Sequence, residues 1–333
     1  MDFDIVQTHL RSALDIADQP EIVAFQQRKL SLIYSFHCER GEFILKLPKK
    51  SRMRLSHIRE IQPKEKYQTK ARIEWESLSL LFKQFSHENC PVDFVEPVAF
   101  IEALPGVVMK RVRGEDFYTG SLLRSGQEDV RFNREVLRRV GAAFHFLHEQ
   151  NPAPPRHSAL PQIPDGAIED NKLRKWNARI AGVLGDRNFP AALVMSGFSL
   201  TDVLVSPREG GVWFLDPGRL EEGIVLEDLA RFVVELRKVA CGWPGPFRRK
   251  RIAAYEKAFL DGYRQAGGGV ELPLMAVFIL ARLSEDLRKF RRKADRRRWR
   301  SRLAEISGVR NLTEAFYRRE MRRTIKEYRL KEI

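Results

Sequence analysis

Residues 193–205 read Leu-Val-Met-Ser-Gly-Phe-Ser-Leu-Thr-Asp-Val-Leu-Val, and residues 212–218 read Val-Trp-Phe-Leu-Asp-Pro-Gly. Short apolar segments on both sides of the polar turn at residues 207–211 are typical of a β-hairpin. We therefore expect Asp202 and Asp216 to lie close together at one end of this hairpin. Two such carboxylates can hold magnesium together with phosphate oxygens. An equally weighted alternative is that both aspartates only cap turns.

The first hundred residues predict strand, strand, helix, strand, strand. Apolar and β-branched runs separated by polar or glycine-containing turns indicate two hairpins, and apolar residues spaced by about one helical turn indicate the helix between them. The predicted strands are 30–36, 43–47, 95–100 and 107–112, and the predicted helix covers about 70–85.

Lys46 lies among apolar neighbours in Phe43-Ile-Leu-Lys-Leu47. A charged residue in that position needs a partner, although an exposed lysine on an edge strand is the more common arrangement. Glu74, near the start of the predicted helix, can be that partner, whereas Glu76 faces another side of the helix.

After Gly114 the pattern becomes helical. Val136, Val140, Phe144 and Leu147 recur at helical spacing, and residues 151–155 (Asn-Pro-Ala-Pro-Pro) end that helix because proline cannot donate to the helical ladder. From Asp228 onward the pattern is helical, with breaks at residues 242–246 and 267–269. Together these elements predict an α+β fold with a small β-rich part followed by a larger helical part.

Seven loose motifs occur in an order that resembles the aminoglycoside phosphotransferase and choline-kinase-like family over roughly residues 20 to 265. They are Phe-Ile-Leu-Lys46, the helix with Glu74, Val-Met-Lys-Arg-Val-Arg-Gly114, Ala-Ala-Phe-His-Phe-Leu-His148, Gly-Phe-Ser-Leu-Thr-Asp202, Phe-Leu-Asp216 and Glu-Asp228-Leu-Ala. The resemblance implies a two-lobed protein-kinase-like fold with a small β-rich N-lobe and a larger helical C-lobe.

The resemblance also implies a role for each matching residue. Lys46 would contact the phosphates of ATP, Glu74 would hold Lys46, and Asp202 and Asp216 would bind Mg²⁺. Asp228 would brace the catalytic loop. A hinge beside the adenine ring would consist of Met109, Lys110, Arg111 and Val112.

The main departure from the family pattern is at Gly197. Aligned on Phe198 and Val203, the family's His-Gly-Asp corresponds to Met195-Ser-Gly197, so glycine occupies the position of the catalytic aspartate. Asp202 replaces the family's metal-binding asparagine and still offers oxygen to a cation. His145 and His148 are expected to be buried hydrogen-bonding residues rather than replacement bases.

The composition places most of the charge at the C-terminal end of the chain. The 333 residues are 43% apolar and carry a formal net charge of +15, and residues 281–333 hold 19 Lys and Arg against 8 Asp and Glu. Three scattered cysteines indicate neither disulfides nor zinc. Without a leader or a membrane-spanning run, we expect a cytoplasmic protein that binds peripherally at the inner membrane surface if the basic run at 288–302 contacts anionic lipid. A solvated helix face with neither partner is the main alternative for that run, and nucleic acid is less favoured than anionic lipid.

We predict an N-terminal lobe at 1–112, a helical lobe at 113–285 and a basic helical extension at 286–333. The leading hypothesis is an ATP- and Mg²⁺-binding protein of the kinase type, either a weak phosphotransferase acting on a sugar or lipid-linked hydroxyl or a pseudokinase. One alternative is a non-catalytic adaptor that uses its basic helix. Another is nucleotidyl transfer on the same fold.

Overall fold

The computed structural model describes residues 3–28, 31–48, 65–86, 90–124, 126–157, 187–239, 246–296 and 309–327. The chain divides into two compact units. The first contains Met1–Leu123 and Ser196–Leu220, and the second contains Arg124–Met195 and Glu221–Ile333.

The first unit is built on a five-stranded antiparallel sheet. Its strands are β1 (Glu21–Gln27), β2 (Ser31–Cys38), β3 (Gly41–Pro48), β5 (Pro97–Ile101) and β6 (Gly106–Lys110). They are hydrogen-bonded in the order β1-β2-β3-β6-β5.

Two helices pack on this sheet, α1 (Phe3–Leu14) and α2 (Glu65–Phe85). Phe43, Leu45 and Leu47 of β3 belong to the apolar cluster that includes α1. Because alternate residues of a strand point to opposite faces, Ile44 and Lys46 face the other side, where Ile44 joins the cluster around Leu78 of α2. This alternation directs Lys46 toward α2.

A second sheet of the first unit carries the hairpin predicted from residues 203–214. Its strands are β4 (Asp93–Phe94), β7 (Glu115–Asp116), β10 (Val203–Ser206) and β11 (Gly211–Phe214), in the order β4-β11-β10-β7. The pairing runs from Val203 with Phe214 to Ser206 with Gly211. A short π-helix (Phe117–Leu122) follows β7, and one turn of 3-10 helix (Leu200–Asp202) precedes β10.

The second unit is mainly helical. Its helices are α3 (Gln127–Gln150), α4 (Val225–Val239), α5 (Pro246–Gln265), α6 (Leu272–Arg296) and α7 (Val309–Glu327), and a small sheet of β8 (Pro152–His157), β9 (Asn188–Ser196) and β12 (Arg219–Ile224) has the order β12-β9-β8. In the part of the chain that the structure describes, no helix is both long and apolar enough to cross a bilayer.

Helices α3 and α5 approach each other at two glycines. A Cβ added at Gly141 would lie 2.0 Å from the Phe259 carbonyl oxygen, and one added at Gly262 would lie 2.0 Å from that of Arg138. Only residues without a side chain allow backbones to pack this closely. The aromatic side chains of Phe144, Phe232 and Phe259 pack beside the crossing.

The observed elements differ from the predicted ones at their ends. Helix α2 begins at Glu65 rather than about Lys70, and residues 152–157, interpreted as a proline-rich break, form strand β8. Helix α1 and strand β1 were not predicted. Most of the break at 242–246 and the basic run beyond Arg296 lie outside the described residues.

Candidate functional site

The side chain of Lys46 lies between two carboxylates of the first unit. Its Nζ atom is 2.5 Å from Glu74 Oε1 and also donates a hydrogen bond to Asp216 Oδ2. The Lys46 side chain is 15% exposed and that of Glu74 is 8% exposed, whereas Asp216 retains 33%. The network is therefore buried on the side of α2 and open to solvent on the side of Asp216.

Three different elements supply these residues. Lys46 is on β3 and pairs with Val107 of β6. Glu74 belongs to the buried stripe of α2 that includes Ala71 and Leu78, so helical spacing turns its carboxylate toward the sheet. Asp216 follows β11 directly. Glu76 is exposed, in agreement with the expectation that it faces another side of the helix.

Burial and neighbouring charges shift the pKa values of these three side chains in opposite directions. Burial lowers the pKa of the Lys46 ammonium, but Glu74 and Asp216 outweigh it and raise the pKa above its ordinary value. Burial likewise raises the pKa of Asp216, and the charge and hydrogen bond of Lys46 outweigh it and lower the net pKa. At Glu74 burial dominates and raises the pKa. Lys46 is therefore a permanent cation at neutral pH.

Asp202 is held by Ser199. The Ser199 backbone N–H and hydroxyl both donate to Asp202 Oδ2, at 2.8 and 2.7 Å. The Asp202 carbonyl in turn accepts from the Leu215 N–H at 2.8 Å, which fixes the start of β10 beside the end of β11. The structure thus brings Asp202 and Asp216 to the same open end of the hairpin.

The two aspartates suit a divalent cation. Burial, and then the charge of Asp216, raises the pKa of Asp202 to about 7. A second carboxylate that ionises with difficulty beside the first is stabilised in its charged form by a bound cation. Among the described residues no group of three or more His, Cys, Asp or Glu could hold a metal alone. Asp202 and Asp216 would therefore hold Mg²⁺ together with phosphate oxygens, as is usual for this ion.

Gly197 and Gly218 shape the backbone next to these carboxylates. Gly197 has φ of +98°, and a Cβ added there would meet no heavy atom within 4 Å. Gly218 has φ of +67°, its N–H donates to Asp216 Oδ1 at 3.0 Å, and an added Cβ would lie 2.4 Å from the Ser196 carbonyl oxygen. The position that the resemblance assigns to a catalytic aspartate is thus an open turn adapted to glycine, and Gly218 of the segment that carries Asp216 packs closely against it.

The predicted hinge residues lie at the end of β6, starting two positions after the partner of Lys46. Met109 is buried against the α2 side of the sheet, and Val112 packs on the same cluster. The Lys110 N–H donates to the Glu96 carbonyl and the Arg111 N–H to the Glu42 carbonyl, both at 2.9 Å. The adenine-binding role of these residues stays a prediction.

Asp228 and His148 form a buried group in the second unit. His148 Nδ1 lies 3.2 Å from the Tyr263 hydroxyl, and its Nε2 lies 3.4 Å from Asp228 Oδ2. Arg231 Nη1 donates to Asp228 Oδ1 at 3.3 Å and to the Met195 carbonyl at 3.5 Å. Arg231 therefore links Asp228 to the Met195 backbone, and the bracing role of Asp228 stays a prediction.

Sequence reasoning missed Ser199 and Gly218. The spacing Ser-x-x-Asp at 199–202 is typical of a capping box, and that signal was available. The close approach of Gly218 to Ser196 is a tertiary contact that no local pattern indicates.

The chain matches known proteins in structure but not in sequence. No protein-family model matches the chain, and no curated protein matches it. A macrolide 2'-phosphotransferase from Brachybacterium faecium superposes with a TM-score of 0.54 at 14% identity, covering 94% of this chain and 96% of that one.

Two further structures agree with this match. The GDP complex of aminoglycoside 2'-phosphotransferase-IIIa gives a TM-score of 0.53 at 14% identity, covering 96% of this chain and 100% of that one. A glucosamine kinase gives 0.51 at 13% identity, covering 96% and 97%. The two-lobed protein-kinase-like fold of these phosphotransferases is therefore the fold of this chain, with a β-rich N-lobe and a larger helical C-lobe.

Proposed function

We propose that this chain is a kinase-like phosphotransferase that binds ATP and Mg²⁺ through Lys46, Asp202 and Asp216. The observation that carries the proposal is the buried ammonium of Lys46 between Glu74 and Asp216. A fixed cation beside carboxylates that suit a divalent ion is the arrangement that phosphoryl transfer requires, because positioning and charge neutralisation account for most of the catalysis.

Each residue has a distinct task in this proposal. Lys46 neutralises phosphate oxygens, and Glu74 fixes its position. Asp202 and Asp216 hold the metal, which would supply further charge neutralisation to the phosphates. Met109–Val112 provide the adenine-side edge of the nucleotide site.

Gly197 limits the rate of any reaction. General-base assistance contributes roughly 10²- to 10⁴-fold, so its loss slows transfer without abolishing it. We therefore propose a weak phosphotransferase, with a non-catalytic nucleotide-binding protein as the limiting case.

The structural neighbours support a hydroxyl of a small molecule as acceptor. Their names state that they act on macrolides, aminoglycosides and glucosamine. A sugar or lipid-linked hydroxyl is the acceptor class that we propose for this chain, in the cytoplasm.

Nucleotide binding tests the proposal directly. Saturating Mg-ATP, at about 100 times its Kd, should add roughly 2.7 kcal/mol to the free energy of unfolding. The measurement is a thermal unfolding scan with and without Mg-ATP, together with titration calorimetry.

Variants identify the site. Lys46→Ala and Asp216→Asn should lose the Mg-ATP shift while retaining their circular dichroism spectra. Lys83→Ala, an exposed lysine in the last turn of α2, is the matched control and should keep the shift. If the unmodified chain shows neither a shift nor heat of binding, the proposed function is wrong.

A further inference from the structure

A cavity of about 670 Å³ opens in the first unit between the N-terminal half of α2 and the segment that follows β11. Glu65, Lys66, Thr69, Lys70, Ile73 and Glu74 line it from the helix, and Asp216, Gly218 and Arg219 line it from the other side. We call it the α2 cavity. Its volume is in the range of small-molecule sites.

The α2 cavity is cationic away from the Lys46 network. Of the three acids among its described lining residues, Glu74 and Asp216 are already paired with Lys46. The remaining acid, Glu65, is opposed by Lys66, Lys70 and Arg219. Lys66 and Lys70 form no ion pair with any residue in the described part of the chain, and both are exposed. The charge of Lys70 acts at a distance on Glu74 and Asp216, where it favours the charged form of each carboxyl. Both ammonium groups can therefore bind an anion without first breaking an ion pair with those residues.

Helical geometry orders these charges along one direction. Lys66, Lys70 and Glu74 are spaced by four residues and share one face of α2. At 1.5 Å per residue, Lys70 stands about 6 Å and Lys66 about 12 Å from Glu74 along the helix axis. The backbone positions of the two lysines thus lie about one and two helical turns from that of Glu74.

We infer that the α2 cavity binds an anionic group of the acceptor, and that this acceptor is a phosphorylated sugar. Its phosphate would contact Lys66 and Lys70, while its hydroxyl would be directed toward Asp216. This inference rests on the proposed function, because it names the acceptor for the same site. A cavity that presents two unpaired lysines is poorly suited to polycationic aminoglycosides, since like charges repel.

Anion binding in the presence of bound nucleotide tests the inference. The protein is titrated calorimetrically with inorganic phosphate, glucose 6-phosphate or uncharged glucose, first alone and then saturated with Mg-AMP-PNP. We expect glucose 6-phosphate to bind in both conditions, phosphate to bind more weakly, and glucose to give little heat.

The decisive variant is the double substitution Lys66→Gln with Lys70→Gln. Two charge-assisted contacts to the phosphate are lost, so the Kd for glucose 6-phosphate should rise at least about ten-fold. The Kd for Mg-AMP-PNP should stay within about two-fold. Lys83→Gln is the matched control on the same helix and should change neither Kd.

The outcomes separate this inference from the proposed function. If Mg-AMP-PNP abolishes anion binding, the lysines serve the nucleotide's own phosphates and the inference is wrong. It is also wrong if Mg-AMP-PNP binds but glucose 6-phosphate does not, or if the double variant binds glucose 6-phosphate normally. Failure of Mg-AMP-PNP itself overturns the proposed function and, with it, the assignment of the anion as acceptor.

Discussion

At Gly197 there is space for a side chain, but the backbone conformation favours glycine. Its φ of +98° lies outside the range in which side chains other than glycine are comfortable, although no atom obstructs a Cβ. An aspartate there would be strained by about 1–3 kcal/mol without a steric clash. Under the proposed function, a carboxylate at this residue would therefore gain catalysis and lose stability.

Gly197→Asp should raise ATP hydrolysis or phosphoryl transfer by about ten-fold or more, because it places a carboxylate where the resemblance implies a catalytic base. The measurement is release of labelled phosphate at fixed Mg-ATP. Gly197→Asn carries the same strain and no base, so it should lower stability equally and leave the rate unchanged. Brisk turnover by the unmodified chain would show that Gly197 does not occupy the catalytic position.

Among the elements, the segment from β11 to β12 depends on Gly218. Both Gly218 (φ +67°) and Gly210 (φ +69°) adopt the left-handed conformation, but only Gly218 packs against backbone, at the Ser196 carbonyl. Comparing alanine variants of these two glycines therefore separates the free-energy cost of the left-handed conformation from that of the backbone contact.

Gly210→Ala should lower the free energy of unfolding by about 1 kcal/mol, the cost of a side chain at positive φ. Gly218→Ala should lower it by at least about 2 kcal/mol more, because the new methyl group displaces the Ser196–Gly197 backbone. Mg-ATP affinity should also fall in Gly218→Ala alone. Urea unfolding and calorimetry measure both effects, and equal losses in the two variants would exclude a role for the contact.

Local pattern was sufficient for some elements and not for others. Short apolar runs and polar turns were enough to predict strand β3 and the hairpin of β10 and β11. The pairing of Lys46 with Glu74 and the proximity of Asp202 to Asp216 could therefore be expected from sequence. The first turn of α2 was missed because Glu65 and Lys66 add no apolar residue to the stripe. Strand β8 was missed because its prolines argue against a strand unless it lies at the edge of a sheet, as β8 does here.

For the whole molecule, the C-terminal helix α7 is part of the second unit. Phe316, Met321 and Thr324 are buried, and Arg237 of α4, which is fully buried, donates to Thr324 Oγ1 at 2.5 Å. Arg237 also donates twice to Glu256 of α5, at 3.0 and 2.9 Å. Removing one side of such a buried charge network is strongly destabilising. A chain ending near Glu285 would therefore lose part of the core together with the basic run.

The basic run is better tested by neutralising it than by truncation. We expect the full chain to bind anionic but not neutral liposomes, with about 1 kcal/mol from each basic residue near the lipid. Replacing Arg296, Arg297, Arg298 and Arg300 with glutamine should abolish co-sedimentation, and the circular dichroism spectrum of the variant checks that it is folded. If both proteins bind the liposomes equally, or if neither binds, the basic run has no role in membrane binding.

The contacts of Lys46 also determine its chemical reactivity. An amine attacks an acylating reagent only in its neutral form, and the carboxylates of Glu74 and Asp216 keep Lys46 protonated. The lysine at the centre of the proposed site is therefore a poor nucleophile in the free protein, whereas the exposed Lys66 and Lys70 on the neighbouring helix are open to modification. Acylating inhibitors aimed at this protein should accordingly react with Lys66 and Lys70, which line the α2 cavity, before they react with Lys46.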